Sequence, residues 1–137
     1  MTAADPIAFL LALLETDAPG TDLEDVPIRV GRIENDDLPP VVLLEDAGWI
    51  GDRYLPVLTP ARVSITAYGR SESEASSLLL AARTIYHGQG PRVIDGTGMW
   101  KAFDETGPQP RDDPDTHWSA RFVVAAIYMP SVVLEAS

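Results

Sequence analysis

The amino-acid sequence predicts an α+β domain in which an antiparallel or mixed sheet of four to five strands packs with two helices. Two stretches, Ile7–Leu14 and Ala75–Tyr86, place apolar residues at helical spacing. Three others, Val41–Leu44, Ala61–Tyr68 and Ser119–Met129, read as strands. Twelve prolines and ten glycines cut the rest into short pieces, which argues against a helical bundle. A length of 137 residues suits one domain spanning 1–137, large enough to bury a proper core.

The first helix has a defined start. Asp5 is a good N-cap, and Pro6 follows where a missing N–H costs nothing. Ile7, Leu10, Leu11 and Leu14 repeat along one face, Phe9 and Leu13 widen it, and Asp17–Gly20 ends the helix. Thr21–Asp25 is polar and reads as loop. Pro27–Ile33 alternates as a short strand, with Ile28 and Val30 on one face and Arg29 on the other. Glu34–Asp37 turns the chain, and Pro39-Pro40 lead into Val41–Leu44, an apolar run suited to a strand buried on both faces.

Ala61–Tyr68 is the clearest strand. Val63, Ile65 and Ala67 point one way, and Arg62, Ser64, Thr66 and Tyr68 the other. It runs into Ser71-Glu-Ser-Glu74, a capping box, and then into a helix with Ala75, Leu78, Leu79, Ala82, Ile85 and Tyr86 on one stripe, stopped by Gly88. Val93-Ile94 is a further short strand. Ser119–Met129 is a long apolar strand closed by Pro130.

Two connections remain, at 47–60 and 95–118, and both are read as long loops. The first holds Trp49, Ile50, Tyr54, Leu55, Val57 and Leu58, too apolar for a solvated loop. It is either a hairpin extension or a segment covered by a partner. The second is rich in Pro, Gly and Asp, with Trp100, Phe103 and Trp118 embedded. All three tryptophans therefore fall in connections, and such residues are enriched at interface hot spots. The last strand is apolar on both faces, which calls for helices on each side or a neighbouring subunit.

The chemistry is bounded by composition. There is no cysteine, so disulfides and thiolate metal sites are excluded. The longest apolar runs, Ile7–Leu14 and Phe122–Met129, are too short for a membrane span, and no basic segment marks a secretory signal. Ten basic against 21 acidic residues give a net charge of −11, with Lys101 the only lysine. Such a chain repels phosphate backbones, so nucleic-acid binding by counterion release is disfavoured. The charge serves solubility, or a surface that sits near DNA or a basic partner without sticking.

No active site is expected. His87 ends a helix, and His117 lies in Asp112-Asp-Pro-Asp-Thr-His117, which lacks the spacing of an EF-hand or an HExxH site. No GxSxG elbow, GxGxxG or phosphate loop is present. The acidic pairs Asp36-Asp37, Glu45-Asp46 and Asp112-Asp113 are adjacent, so on a strand they point to opposite faces rather than across a cleft.

The order of segments carries a resemblance. It comprises the Asp5-Pro-Ile-Ala-Phe-Leu10 helix, the Gly31-Arg-Ile33 strand, Leu38-Pro-Pro-Val-Val-Leu-Leu44 with a charged continuation, and Arg62-Val-Ser-Ile-Thr-Ala-Tyr68 running into Ser71-Glu-Ser-Glu-Ala75. It closes with Asp112-Asp-Pro-Asp-Thr-His-Trp118 ahead of the last strand. In this the chain resembles the tail terminator (tail-completion) proteins of long-tailed, non-contractile phages, in the form found among actinobacterial phages. The resemblance implies a structural protein rather than an enzyme, with no catalytic residues, cofactor or metal. It implies a homohexameric ring on the head-proximal end of the tail tube, assembled in the host cytoplasm and carried in the virion. Its partners would be other copies of itself, the tail tube protein and the head–tail connector protein, with genomic DNA passing through the lumen without specific binding. The expected contact anchors are Trp49, Ile50, Tyr54, Leu55, Trp100, Phe103 and Trp118. The rival readings are a neck or head-completion connector protein, and a small α+β enzyme or ligand-binding domain with its site under the 99–118 segment.

Overall fold

In a computed structural model, residues 2–3, 5–49, 59–87, 91–94, 96–99, 101–111, 118–129 and 132–133 are described. Helix α1 spans Pro6–Asp17 and begins as its sequence dictates, the Asp5 carboxylate accepting from the amides of Ile7 and Ala8 with Pro6 in the first turn. Helix α2 spans Glu72–Tyr86 with Ser71 as N-cap, its hydroxyl accepting from Glu74 N. The return bond of the expected capping box differs. The Glu74 carboxylate takes the amide of Arg70, 2.8 Å away, together with the Arg70 guanidinium. Gly88, expected as the helix stop, lies outside the described residues.

The main sheet is mixed and five-stranded. Strands β2 (Ile28–Val30), β3 (Val41–Trp49), β4 (Thr59–Gly69), β7 (Lys101–Arg111) and β8 (Ser119–Met129) lie in the order β2-β3-β4-β8-β7. Only β2–β3 is parallel; the other pairings are antiparallel. Strand β1 (Thr2–Ala3) pairs with β9 (Val132–Val133), and β5 (Arg92–Ile94) forms a ribbon with β6 (Thr97–Met99). This is the α+β class that the sequence predicts.

Both helices pack on one face of the sheet. Phe9, Leu10, Leu13 and Leu14 of α1, together with Leu78, Leu79, Ala82 and Tyr86 of α2, meet Val42, Leu44, Val63, Ile65, Val123, Ala125 and Ile127 in one buried core. The alternation read from β4 therefore holds, and the Val41–Leu44 run is buried on both faces. Leu23, in the turn read as polar loop, is also buried there. Val30, expected to share the inward face of Ile28, is instead 48% exposed, because β2 is a three-residue edge strand.

The segment 95–118 departs most from expectation. It is not one long loop but contains β6 and the eleven-residue β7. Gly107, Pro108 and Pro110 suggest breaks, yet β7 is an edge strand, where a missing N–H is tolerated on the outer side. Its register against β8 shifts between Asp104 and Thr106 and again between Thr106 and Gln109, absorbing the irregular residues. The 47–60 connection is shorter than expected. Trp49 pairs with Ala61, so the hairpin extension is the reading the backbone follows at both ends, and residues 50–58 lie outside the described residues.

The turn after β2 is tied down by charge. Arg29 Nη2 lies 2.8 Å from Asp37 Oδ1, and the Asp37 carboxylate also accepts from Glu34 N. The Arg29 guanidinium, helped by that amide, holds the Asp37 carboxyl below the usual carboxylate range. A depressed carboxyl contributes stability that is present above the unfolded value of about 4 and lost as pH falls through the folded value. Chemical denaturation of Asp37→Asn at about pH 6 and pH 3 is expected to show a protein weaker than wild type at pH 6, with a smaller loss on acidification.

Candidate interaction surface

The sheet face opposite the helices is built by residues alternating with the core set. From β3 come Val41, Leu43 and Glu45; from β4, Arg62, Ser64, Thr66 and Tyr68; from β8, Ala120, Phe122, Val124, Ala126 and Tyr128. Neither helix covers this face. It is divided along its length.

At one end Val41, Leu43, Tyr68 and Ala120 form a second small apolar cluster, against which Ile33 and Trp118 pack. Trp118 meets Tyr68 edge-on, ring centroids 5.7 Å apart at 77°. In the middle, Arg111 Nη1 donates to Thr66 Oγ1 at 2.7 Å and to Glu45 Oε1 at 3.1 Å, which satisfies the buried threonine hydroxyl. Arg62 pairs with Glu105. At the other end Phe103 stacks on Tyr128 with centroids 5.4 Å apart, and the Lys101 ammonium sits 5.6 Å and 5.4 Å from the two ring centroids. Phe103 keeps 36% of its surface exposed.

Of the expected contact anchors, Phe103 thus lies at the rim of this face, while Trp118 is partly consumed by packing on Tyr68. Trp49 ends β3 at the 50–58 connection. Ile50, Tyr54, Leu55 and Trp100 lie outside the described residues, as do His117 and the acids at 112, 113 and 115.

The densest polar cluster is on the helical side. The Asp104 carboxylate, its side chain 10% exposed, accepts from Arg83 Nε at 2.6 Å, from the Tyr86 hydroxyl, and from His87 Nε2 at 3.0 Å. Burial pushes the Asp104 carboxyl up, but the hydrogen bonds from Tyr86, Arg83 and His87 outweigh it and hold the group below its usual range. Burial, then the neighbouring carboxylate, pushes the Tyr86 phenol up, so it stays protonated and donating. Sequence reading missed this cluster. Arg83, Tyr86 and His87 stand at i, i+3 and i+4, the spacing of one helix face, but their shared acceptor lies on another element.

Chemically, three donors saturate one acceptor, which suits an anchor between the end of α2 and β7 better than proton transfer to a substrate. The carboxylates of Glu34, Asp36 and Asp37 lie within 4.8 Å of one another, and Arg29 already supplies their countercharge. Open hollows lie near α2's N-terminus and at the 29–35 turn. No protein-family model matches the chain, and no curated protein matches it.

Proposed function

We propose that this chain is a tail terminator subunit of a long-tailed phage, acting by shape and contact rather than by chemistry. In this reading several copies, six in the implied ring, cap the head-proximal end of the tail tube, stop its polymerisation and present the surface to which the head connector joins. The observation that supports it most is the helix-free sheet face. It displays aromatic and cationic groups at the Lys101–Phe103–Tyr128 end, beside the β3–β4 hairpin. Residues of those types, partly exposed and rigidly mounted on strands, are suited to bury against a neighbour. The excess of carboxylates suits a channel wall along which DNA slides without sticking.

Electron microscopy of particles made without this protein tests the reading. Tails of uncontrolled, excessive length are the expected result. Tails of normal length that fail to join filled heads would instead assign the chain to the neck, and particles of normal form would remove it from assembly altogether.

A further inference from the structure

Arginines in this protein are closely matched to acids. Arg29, Arg62, Arg70, Arg83, Arg92 and Arg111 each hold a carboxylate. Exposed Arg32 does not, and neither does half-buried Arg121, among the described residues, although 21 acids are present in the chain. Its Nε is buried and has no hydrogen-bond partner. A charged donor withdrawn from water without an acceptor is costly, and the half-buried guanidinium that carries it is open to an acceptor from outside the subunit.

The setting supports that. Arg121 stands on β8 opposite Ala67 and Pro110, on the helical side of the sheet. It lines a notch of about 170 Å³ between α2 and the β7 edge, with Ser76, Leu79, Leu80, Arg83 and Pro108. Leu80 at its mouth is 59% exposed. The nearby Asp104 is fully engaged by Arg83, Tyr86 and His87. A half-buried cation under an apolar lip fits a carboxylate carried on a protein segment better than a free small anion, which would leave Leu80 wet.

Acids able to match it lie on the other flank. Asp22, Glu24 and Asp25 are exposed in the turn between α1 and β2, and none has a side-chain partner among the described residues. That turn borders the N-terminus of α2 and Pro40, on the β2–β3 side of the sheet, whereas the notch is at the β7 side. We propose that the Arg121 notch receives a carboxylate from the Asp22–Asp25 turn of a second copy of this chain. Two different patches then meet, so the contact is head-to-tail and propagates around a ring rather than closing a two-fold dimer. This rests on the reading of the chain as a self-associating subunit, and adds where the copies touch.

Light scattering over a hundredfold concentration range tests it, on wild type, Arg121→Glu, and the combined Asp22→Lys, Glu24→Lys, Asp25→Lys variant. Leu80→Glu serves should Arg121→Glu fail to fold, with folding followed by circular dichroism. Wild type is expected to associate, each variant alone to associate at least about tenfold more weakly, and an equal mixture of the two charge-reversed variants to recover part of the loss. A wild type that stays monomeric, variants that associate as wild type does, or a mixture that recovers nothing would each overturn the proposal. So would acetate alone shifting the Arg121 Nε–H resonance with no self-association, which would make the notch a small-anion site. Tail length in particles remains a separate measure of the terminator reading, so the two can fail independently.

Discussion

Gly69→Ala is expected to destabilise the protein by about 3 kcal/mol, near the upper end for a residue that adds a single methyl. Gly69 ends β4 and leads directly into the cap of α2. A Cβ there would lie 2.5 Å from Ala75 N, 2.9 Å from Ser71 O and 3.0 Å from Glu74 C. All three are backbone atoms, so no side chain can swing away, and the first turn of α2 must move off the strand. That turn sets the position of Ala75, Leu78 and Leu79 in the core, so the strain is shared by the whole helix–sheet contact. Thermal unfolding should report a fall of about 10 °C. Gly107→Ala is the control, since nothing lies within 4 Å of a Cβ at that position. Equal losses at the two glycines would show that backbone freedom, not close approach, is what Gly69 supplies.

Asp104→Ala is expected to cost about 2 kcal/mol, because it strands donors rather than removing one isolated bond. Arg83, Tyr86 and His87 would all lose their acceptor at the junction of α2 and β7. The folded Asp104 carboxyl sits below its usual range, so its contribution is complete above the unfolded value of about 4 and fades as pH drops. Urea unfolding at about pH 6 should therefore separate wild type from Asp104→Ala clearly, and at about pH 3 the gap should be narrower. A gap that persists undiminished in acid would mean that packing, rather than the ionised carboxylate, ties β7 to the helix.

Those two positions also show what a sequence discloses. The starts of both helices were legible because their signals are local: Asp5 and Ser71 satisfy amides within a few residues. Strand β4 was legible because its alternation matches a sheet with one helical face. By contrast β7 is hidden in the sequence, since Gly107, Pro108 and Pro110 suppress local strand preference and only pairing with β8 overrides them. The Asp104 cluster depends on contacts between residues far apart along the chain, which no spacing rule exposes. Of the aromatic residues expected as contact anchors, Phe103 lies on β7 at the rim of the helix-free face. Trp118, picked on the same grounds, has found a partner inside its own subunit. The cost of Arg121 in an apolar strand is visible only once its neighbours are placed.

The stacked pair at the end of the helix-free face has a practical side. Lys101 is the chain's only lysine, and its ammonium lies over Phe103 and Tyr128. Acylating reagents that prefer side-chain amines therefore have one address on this protein's side chains. The nucleophile there is held against two rings, so its reactivity is a gauge of whether those rings are open or covered. A dye placed on that nitrogen would stand at the rim of the one sheet face the helices leave bare, turning the composition of the chain into a built-in reporter of what docks there.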